Sequence, residues 1–390
     1  MKILFVMFTR LEVGLGTETT VLHYTEGMLR HGHEVSIMET DFGVGNRMPE
    51  EKLKGLKASA RVVRIKSISE KIRHWSTNNY FKFLFNYGLR PILMEITRAR
   101  YKGVIKRFRE YDVIYLFDNS YWRLFRGFDD SLIIGSSHVW RPMTENKYDR
   151  IELTFIRYGL QWRNINAFHV LPRDVFKSAY IPTKKFLGLS IGGVTSSRFI
   201  PSYEHSDAIR ILFVANLTEC KGVLLVIETW KLLSATNNCE LHIVGAGKLA
   251  SYLKDLKIKG FQYHGLLKQE DLEKIYSTSD IFLYPSRCDT LSLTTVQALS
   301  SGLYCIVGER LRGLFDEFEL SGFLKYADYS PSLLARELQD AFGKIDKIRT
   351  NKWKVHELAR KEFDWDSVTL KLMDKIETLL NEKKREHQNE

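Results

Sequence analysis

Apolar residues along this chain fall into short unbroken runs. Between the runs lie longer stretches in which they recur every three or four positions. Short buried runs alternating with helical periodicity predict parallel sheets covered by helices. Lys2–Phe8 reads as a first strand. A glycine-containing loop at Gly14–Glu18 leads into a helix through Thr20–His31, which Gly32 stops before a strand at Glu34–Met38. Val62–Ile65, Val113–Phe117, Leu132–Gly135 and Ala167–Leu171 complete a Rossmann-like first lobe.

The pattern pauses near Ile191-Gly-Gly-Val194 and Pro201, and then a second series begins. Strands are expected at Arg210–Val214, Leu241–Val244, Phe261–His264, Ile281–Tyr284 and Tyr304–Val307. Helices are expected at Val223–Ser234, Leu249–Leu256, Gln269–Ser277 and Thr294–Ser301. This predicts a second doubly wound lobe with a boundary near residue 200. From Trp365 an apolar stripe of Val368, Leu372, Met373, Ile376 and Leu380 predicts a terminal helix. The expected domains are therefore 1–200, 201–365 and the helix 366–390.

Length agrees, because 390 residues suit two domains of roughly 150–200 residues each. The four cysteines lie in the second half without a C-x-x-C spacing, which points to a thiol-reducing compartment and against a zinc site. No apolar run reaches the roughly 18 residues that span a bilayer. The expected location is cytoplasmic, with peripheral attachment to the cytoplasmic membrane face as an option.

Charge changes this picture in one place. From Lys52 to Arg109 there are sixteen Lys and Arg residues against Glu70 and Glu95, a surplus larger than the whole chain's +11. Aromatics such as Trp75, Tyr80 and Phe81 are interspersed. The segment fits an anionic membrane surface or a polyphosphate-bearing acceptor, or else a solvated helical face with its aromatics in the core; no nucleic acid is expected.

The stretch Tyr284-Pro-Ser-Arg-Cys-Asp-Thr-Leu-Ser-Leu-Thr-Thr-Val-Gln-Ala-Leu-Ser-Ser-Gly302 carries the most chemistry. A strand ends, a polar loop follows, and a helix opens near Ser292–Thr295. Backbone N–H groups of Leu291, Ser292, Leu293 and Thr294, beside Thr290, would offer an anion site for a diphosphate. Asp289 could accept hydrogen bonds from sugar hydroxyls, and Gln297 from a ribose. Ordinary capping by Ser292 or Thr294 is the plain alternative, and composition alone favours it.

The same stretch resembles the signature of the retaining GT-B glycosyltransferases of family 4, glycosyl transferases group 1. That signature is Pro-Ser, an acidic residue, seven residues, Glu, and then Ala-x-x-x-Gly. Asp289 takes the first acidic position and Gln297 stands where Glu is usual, with Ala298 and Gly302 in register. Ser292 replaces a usual Gly. Leu212–Gly222 is similar to the family's Gly-Arg…Lys-Gly loop: Lys221 matches, while Asn216 stands at the Arg position, with Arg310 or Arg312 as candidate substitutes. Gly16 resembles the second glycine of the Gly-Gly-x-Glu loop, Gly245 the glycine at a strand end of the second lobe, and His138 a histidine near the transferred sugar.

The resemblance implies an α/β GT-B fold, two Rossmann-like domains facing a cleft with the C-terminal helix returning to the N-terminal domain. It implies a hexosyl transfer from a nucleoside diphosphate sugar (UDP- or GDP-sugar) to a glycan or lipid-linked hydroxyl, with retention. Lys221, Asp289 and His138 would be catalytic. Gly16, Asn216, Lys221, Gly245, Thr290, Leu291, Ser292, Leu293 and Gln297 would bind the donor. No cofactor beyond the nucleotide sugar and no metal are expected, since Asp364-Trp-Asp366 opens a helix and suits capping better than metal binding. The departures at Asn216 and Gln297 leave an alternative: a catalytically weak homologue acting as a partner subunit.

Overall fold

The computed structural model describes residues 1–13, 16–43, 48–66, 89–137, 165–170, 186–189, 192–204, 206–233, 238–289, 292–312, 315–316, 320 and 322–388. They form two compact units, one of Met1–Ser190 with Thr369–Glu390 and one of Ile191–Val368. The sequence pause at 191–200 thus counts with the second unit.

The first unit is built on a seven-stranded sheet: β1 (Lys2–Val6), β2 (Glu34–Thr40), β3 (Arg61–Ile65), β4 (Val113–Leu116), β5 (Leu132–Ser137), β6 (Ala167–Val170) and β7 (Phe186–Leu189). Their spatial order is β3-β2-β1-β4-β5-β6-β7, and every pairing is parallel. Ile3 to Val6 and Val113 to Leu116 are fully buried, as strands covered on both faces must be. Helix α1 (Gly16–Arg30) connects β1 to β2, and α2 (Glu50–Ser59) connects β2 to β3.

The second unit has six parallel strands: β8 (Ile209–Val214), β9 (Cys239–Val244), β10 (Phe261–Gly265), β11 (Ile281–Tyr284), β12 (Tyr304–Gly308) and β13 (Leu324–Ala327). The order β10-β9-β8-β11-β12-β13 reverses between β8 and β11. Helices following α2 and used below are α3 (Arg90–Arg100), α4 (Val223–Leu233), α5 (Gln269–Thr278), α6 (Leu293–Ser300), α7 (Pro331–Phe342), α8 (Lys352–Phe363) and α9 (Trp365–Gln388).

Helix α9 starts in the second unit and belongs to the first from Thr369 onward. Thr369 lies so close to Gly27 of α1 that a Cβ there would stand 2.8 Å from its methyl carbon, and Lys383 donates to the Ser131 carbonyl at 2.6 Å. The buried stripe of Leu372, Met373, Ile376 and Leu380 supplies the apolar contact. The expected return of the C-terminal helix is thus observed. Its start is capped by Asp364, whose carboxylate accepts from the Asp366 amide at 3.0 Å and from Ser196 at 2.5 Å.

Candidate functional site

In a doubly wound sheet the loops leaving the two strands that flank the reversal splay apart and open a ligand crevice at the strands' carboxyl ends. In the second unit these are the loops after β8 and β11. The first, Ala215–Gly222, ends in a 3-10 turn at Glu219–Lys221 closed by Gly222 with φ +86°. A side chain at Gly222 would collide with the Pro285 carbonyl, so only glycine gives both the left-handed turn and the close approach of the loops. Arg287 of the β11 loop then donates its amide to the Cys220 carbonyl at 2.9 Å.

This backbone contact brings Lys221 and Asp289 together. The Lys221 ammonium donates to Asp289 Oδ1, and the Tyr284 hydroxyl donates to Oδ2. The two charged side chains are 22% and 11% exposed, so solvent screens the pair less than it would on an open surface. Tyr284 ends β11 and is buried; burial and then the Asp289 charge push its phenol well above the usual range, which keeps it a donor. A second buried tyrosine, Tyr276 of α5, donates to Gln297 Oε1 and to the Thr294 carbonyl, each at 3.3 Å. Phe282 stacks against Tyr284 and tilts against Tyr276, so both hydroxyls stand on one aromatic base. Each residue of the Asp289–Gln297 spacing therefore has a buried phenol behind it.

Ser292 is the N-cap of α6, accepting from the Thr295 amide at 3.2 Å and bonding its hydroxyl at 2.5 Å. Leu293 opens the helix and is partly exposed. Asn216 is exposed on the β8 loop. Gly245 follows β9 at φ +139°, where a side chain would strike the Ala215 carbonyl. The loops after β9, β8 and β11 thus sit side by side, placing Gly245, Asn216, Lys221, Asp289, Ser292, Leu293 and Gln297 along one sheet edge. Gly16 opens α1 in the other unit. His138, Thr290 and Leu291 lie outside the described residues. Of the two candidate substitutes for a missing arginine, Arg312 is held by Glu309 and lies over the Tyr326 ring, whereas Arg310 is exposed.

Two features of the site were not expected from sequence. One is the pair of tyrosines; a Tyr inside a buried strand such as Ile281–Tyr284 must find a hydrogen-bond partner, and that was the available signal. The other is a cysteine pair that the spacing did not suggest: Cys220 and Cys288 form a disulfide with Cα atoms 5.7 Å apart. They are 68 residues apart in the chain, and only the adjacency of β8 and β11 makes them neighbours. Cys239 and Cys305 are buried and lie outside this disulfide. Among the described residues no cluster of three or more His, Cys, Asp or Glu side chains could hold a metal.

With this geometry, two doubly wound units with a terminal helix rejoining the first, the fold is GT-B. Residues 208–341, inside the second unit, match the family described as glycosyl transferases group 1. An uncharacterized glycosyltransferase of Methanocaldococcus jannaschii is 26% identical over 172 residues, 42% of this chain and 43% of that protein. A GDP-mannose-dependent alpha-mannosyltransferase of Corynebacterium glutamicum is 33% identical over 134 residues, 32% of this chain and 31% of that one. The chain thus spans less than half the length of these two relatives. The Anabaena protein HepE, crystallised with UDP-glucose, superimposes with a TM-score of 0.65 at 13% identity, covering 97% of this chain and 100% of that one. Among the described residues no helix is long and apolar enough to cross a membrane.

Proposed function

We propose that the chain is a glycosyltransferase that moves a hexosyl group from a nucleoside diphosphate sugar to a hydroxyl acceptor with retention of configuration. The observation that carries this reading is the Lys221–Asp289 pair, backed by Tyr284 at the reversal of the second sheet. As the glycosidic bond to the diphosphate breaks, negative charge grows on the leaving phosphate. Lys221 and the amides at the start of α6 are the groups to meet it. Asp289 would then turn from Lys221 to hydroxyls of the sugar, and Gln297 would bind the ribose. Among the described residues the carboxylate at the switch point, Asp289, is held by Lys221 and Tyr284, which favours attack on the face from which the phosphate leaves.

The donor class is supported by two similar proteins, HepE crystallised with UDP-glucose and a mannosyltransferase named as GDP-mannose-dependent. The decisive experiment is a screen of UDP- and GDP-sugars for nucleotide release, with and without lipid-linked acceptors, run beside Lys221→Ala. Turnover unchanged in that variant would sink the site assignment. Exposed Asn216 in place of an arginine favours one second reading, a weak homologue serving as a partner subunit. Absence of binding to every donor in the screen would support it.

For the acceptor side, helix α3 exposes Ile92 and Ile96, with Leu89 just before it, in line with Arg100. The exposed Lys102, Lys106, Arg107 and Arg109 follow directly. Apolar side chains rimmed by positive charge match an anionic lipid surface. Flotation with phosphatidylglycerol vesicles that is lost in Ile92→Glu/Ile96→Glu tests this. Equal flotation of both proteins would take α3 out of the contact, and a wild type that does not float would remove the membrane from the reading.

A further inference from the structure

We propose that Cys220 and Cys288 form a thiol–disulfide modification site that sets the affinity of the donor site, an inference that rests on the donor reading of Lys221 and Asp289. Each half-cystine immediately precedes one member of the ion pair: Cys220 before Lys221, and Cys288 before Asp289. The bridge therefore holds the chain on both sides of the pair at one fixed spacing. It favours the state in which Lys221 and Asp289 neutralise each other. A diphosphate needs the Lys221 charge and a sugar needs the Asp289 carboxylate, so the donor competes with a pair that the bridge keeps together.

Reduction would not unfold the loops. The Arg287–Cys220 backbone bond and the close seat of Gly222 under Pro285 remain, while the Cys288–Asp289 end becomes free to move. Cys220 is exposed, so a reductant reaches its sulfur; Cys239 and Cys305 are buried, and burial pushes both thiols up, which keeps them out of the exchange. The reaction is exchange with a dithiol. A thiolate of the reductant attacks one sulfur of the bridge and gives a mixed disulfide and a cysteine thiol. The second thiol of the reductant then displaces the other cysteine. Two electrons and two protons pass to Cys220 and Cys288, and the reductant leaves as its disulfide.

The test combines thiol titration in denaturant with calorimetric binding of UDP and GDP, before and after dithiothreitol, on the wild type and on Cys220→Ser. The expected result is a rise from two to four thiols on reduction and at least a threefold fall in Kd for the nucleotide that binds. Cys220→Ser should show the reduced-state Kd with or without dithiothreitol. A rise in thiols with an unchanged Kd would make the bridge a structural staple and overturn the regulation alone. Four thiols before reduction, after exposure to mild oxidant, would overturn it too, because no bridge then forms. Binding of neither nucleotide in any state would instead overturn the donor reading, and the regulation with it.

Discussion

At the carboxyl edge of the first sheet, charged residues are bound several times over. Glu39, 1% exposed, accepts from the Leu11 amide at 2.8 Å and from Arg64 at 2.6 Å; Arg64 also reaches Glu12, which Lys57 holds at 3.1 Å. At the same edge of the second sheet, Lys221 meets one carboxylate, and Asp289 meets one ammonium and one phenol. A group with many internal partners cannot release them to a ligand without leaving buried charge uncompensated. A single pair can exchange its partner for a diphosphate and a sugar at little net cost. The comparison separates a brace from a binding site in two sheets of the same winding.

The largest expected effect tests the second edge. Lys221→Ala should lower kcat/KM for the donor by roughly 100-fold, the scale of removing one charge-stabilising donor from a transition state. Its melting temperature should stay close to that of the wild type. Arg64→Ala should do the opposite, costing about 2–3 kcal/mol of stability because buried Glu39 keeps the Leu11 amide but loses the Arg64 charge, with donor binding retained. Chemical denaturation and steady-state kinetics on both variants check the contrast. A stable Arg64→Ala protein that has lost donor binding would break it.

Tyr284→Phe makes a finer cut. It removes a hydroxyl that donates to a carboxylate while keeping the ring that stacks on Phe282. The expected loss is about tenfold in kcat/KM, since Lys221 still holds the other oxygen of Asp289. A variant with wild-type kinetics would show that the phenol supports the strand end and does not position Asp289.

Most of the strands were legible because a strand buried on both faces must be apolar throughout, and Ile3–Val6, Ile211–Val214 and Ile281–Tyr284 are. Strand β13 was not, because Lys325 and Tyr326 are not buried and interrupt its apolar pattern. Helices α7 and α8, which follow it, also went unread, although α7 has a proline in its first turn. At the site, Lys221 and Asp289 were legible through the spacing of a recognised motif. Their mutual pairing, the phenol behind Asp289 and the Cys220–Cys288 bridge were not. Those depend on which strands lie side by side, and β8 and β11 are separated by two strands in sequence. Local pattern carries no record of that adjacency.

The smallest effect is the pH dependence of stability, and it divides between the two units. In the first, burial works against the Glu12 charge, but backbone hydrogen bonding, Arg64 and Lys57 outweigh it and bring the carboxyl down to about 2 from 4.5. The folded protein therefore binds this proton more weakly than the unfolded chain. Its contribution is complete above pH 4.5 and is lost as pH falls through about 2. In the second unit Lys352 of α8 is buried and donates to the Ser277 and Ser279 carbonyls; burial brings its ammonium down to about 8 from 10.5 despite Asp280. Between those values the unfolded chain holds a proton that the folded one has released, so stability rises with pH from about 8 to about 10.5. Thermal melts across both ranges should show the acid limb flattened in Glu12→Gln and the alkaline limb flattened in Lys352→Met. The slope is the quantity to read, because each variant also shifts the absolute level by removing hydrogen bonds. An alkaline limb that survives in Lys352→Met would assign that rise to another group. The buried lysine would then be a cap on the end of α5 without a role in the pH response.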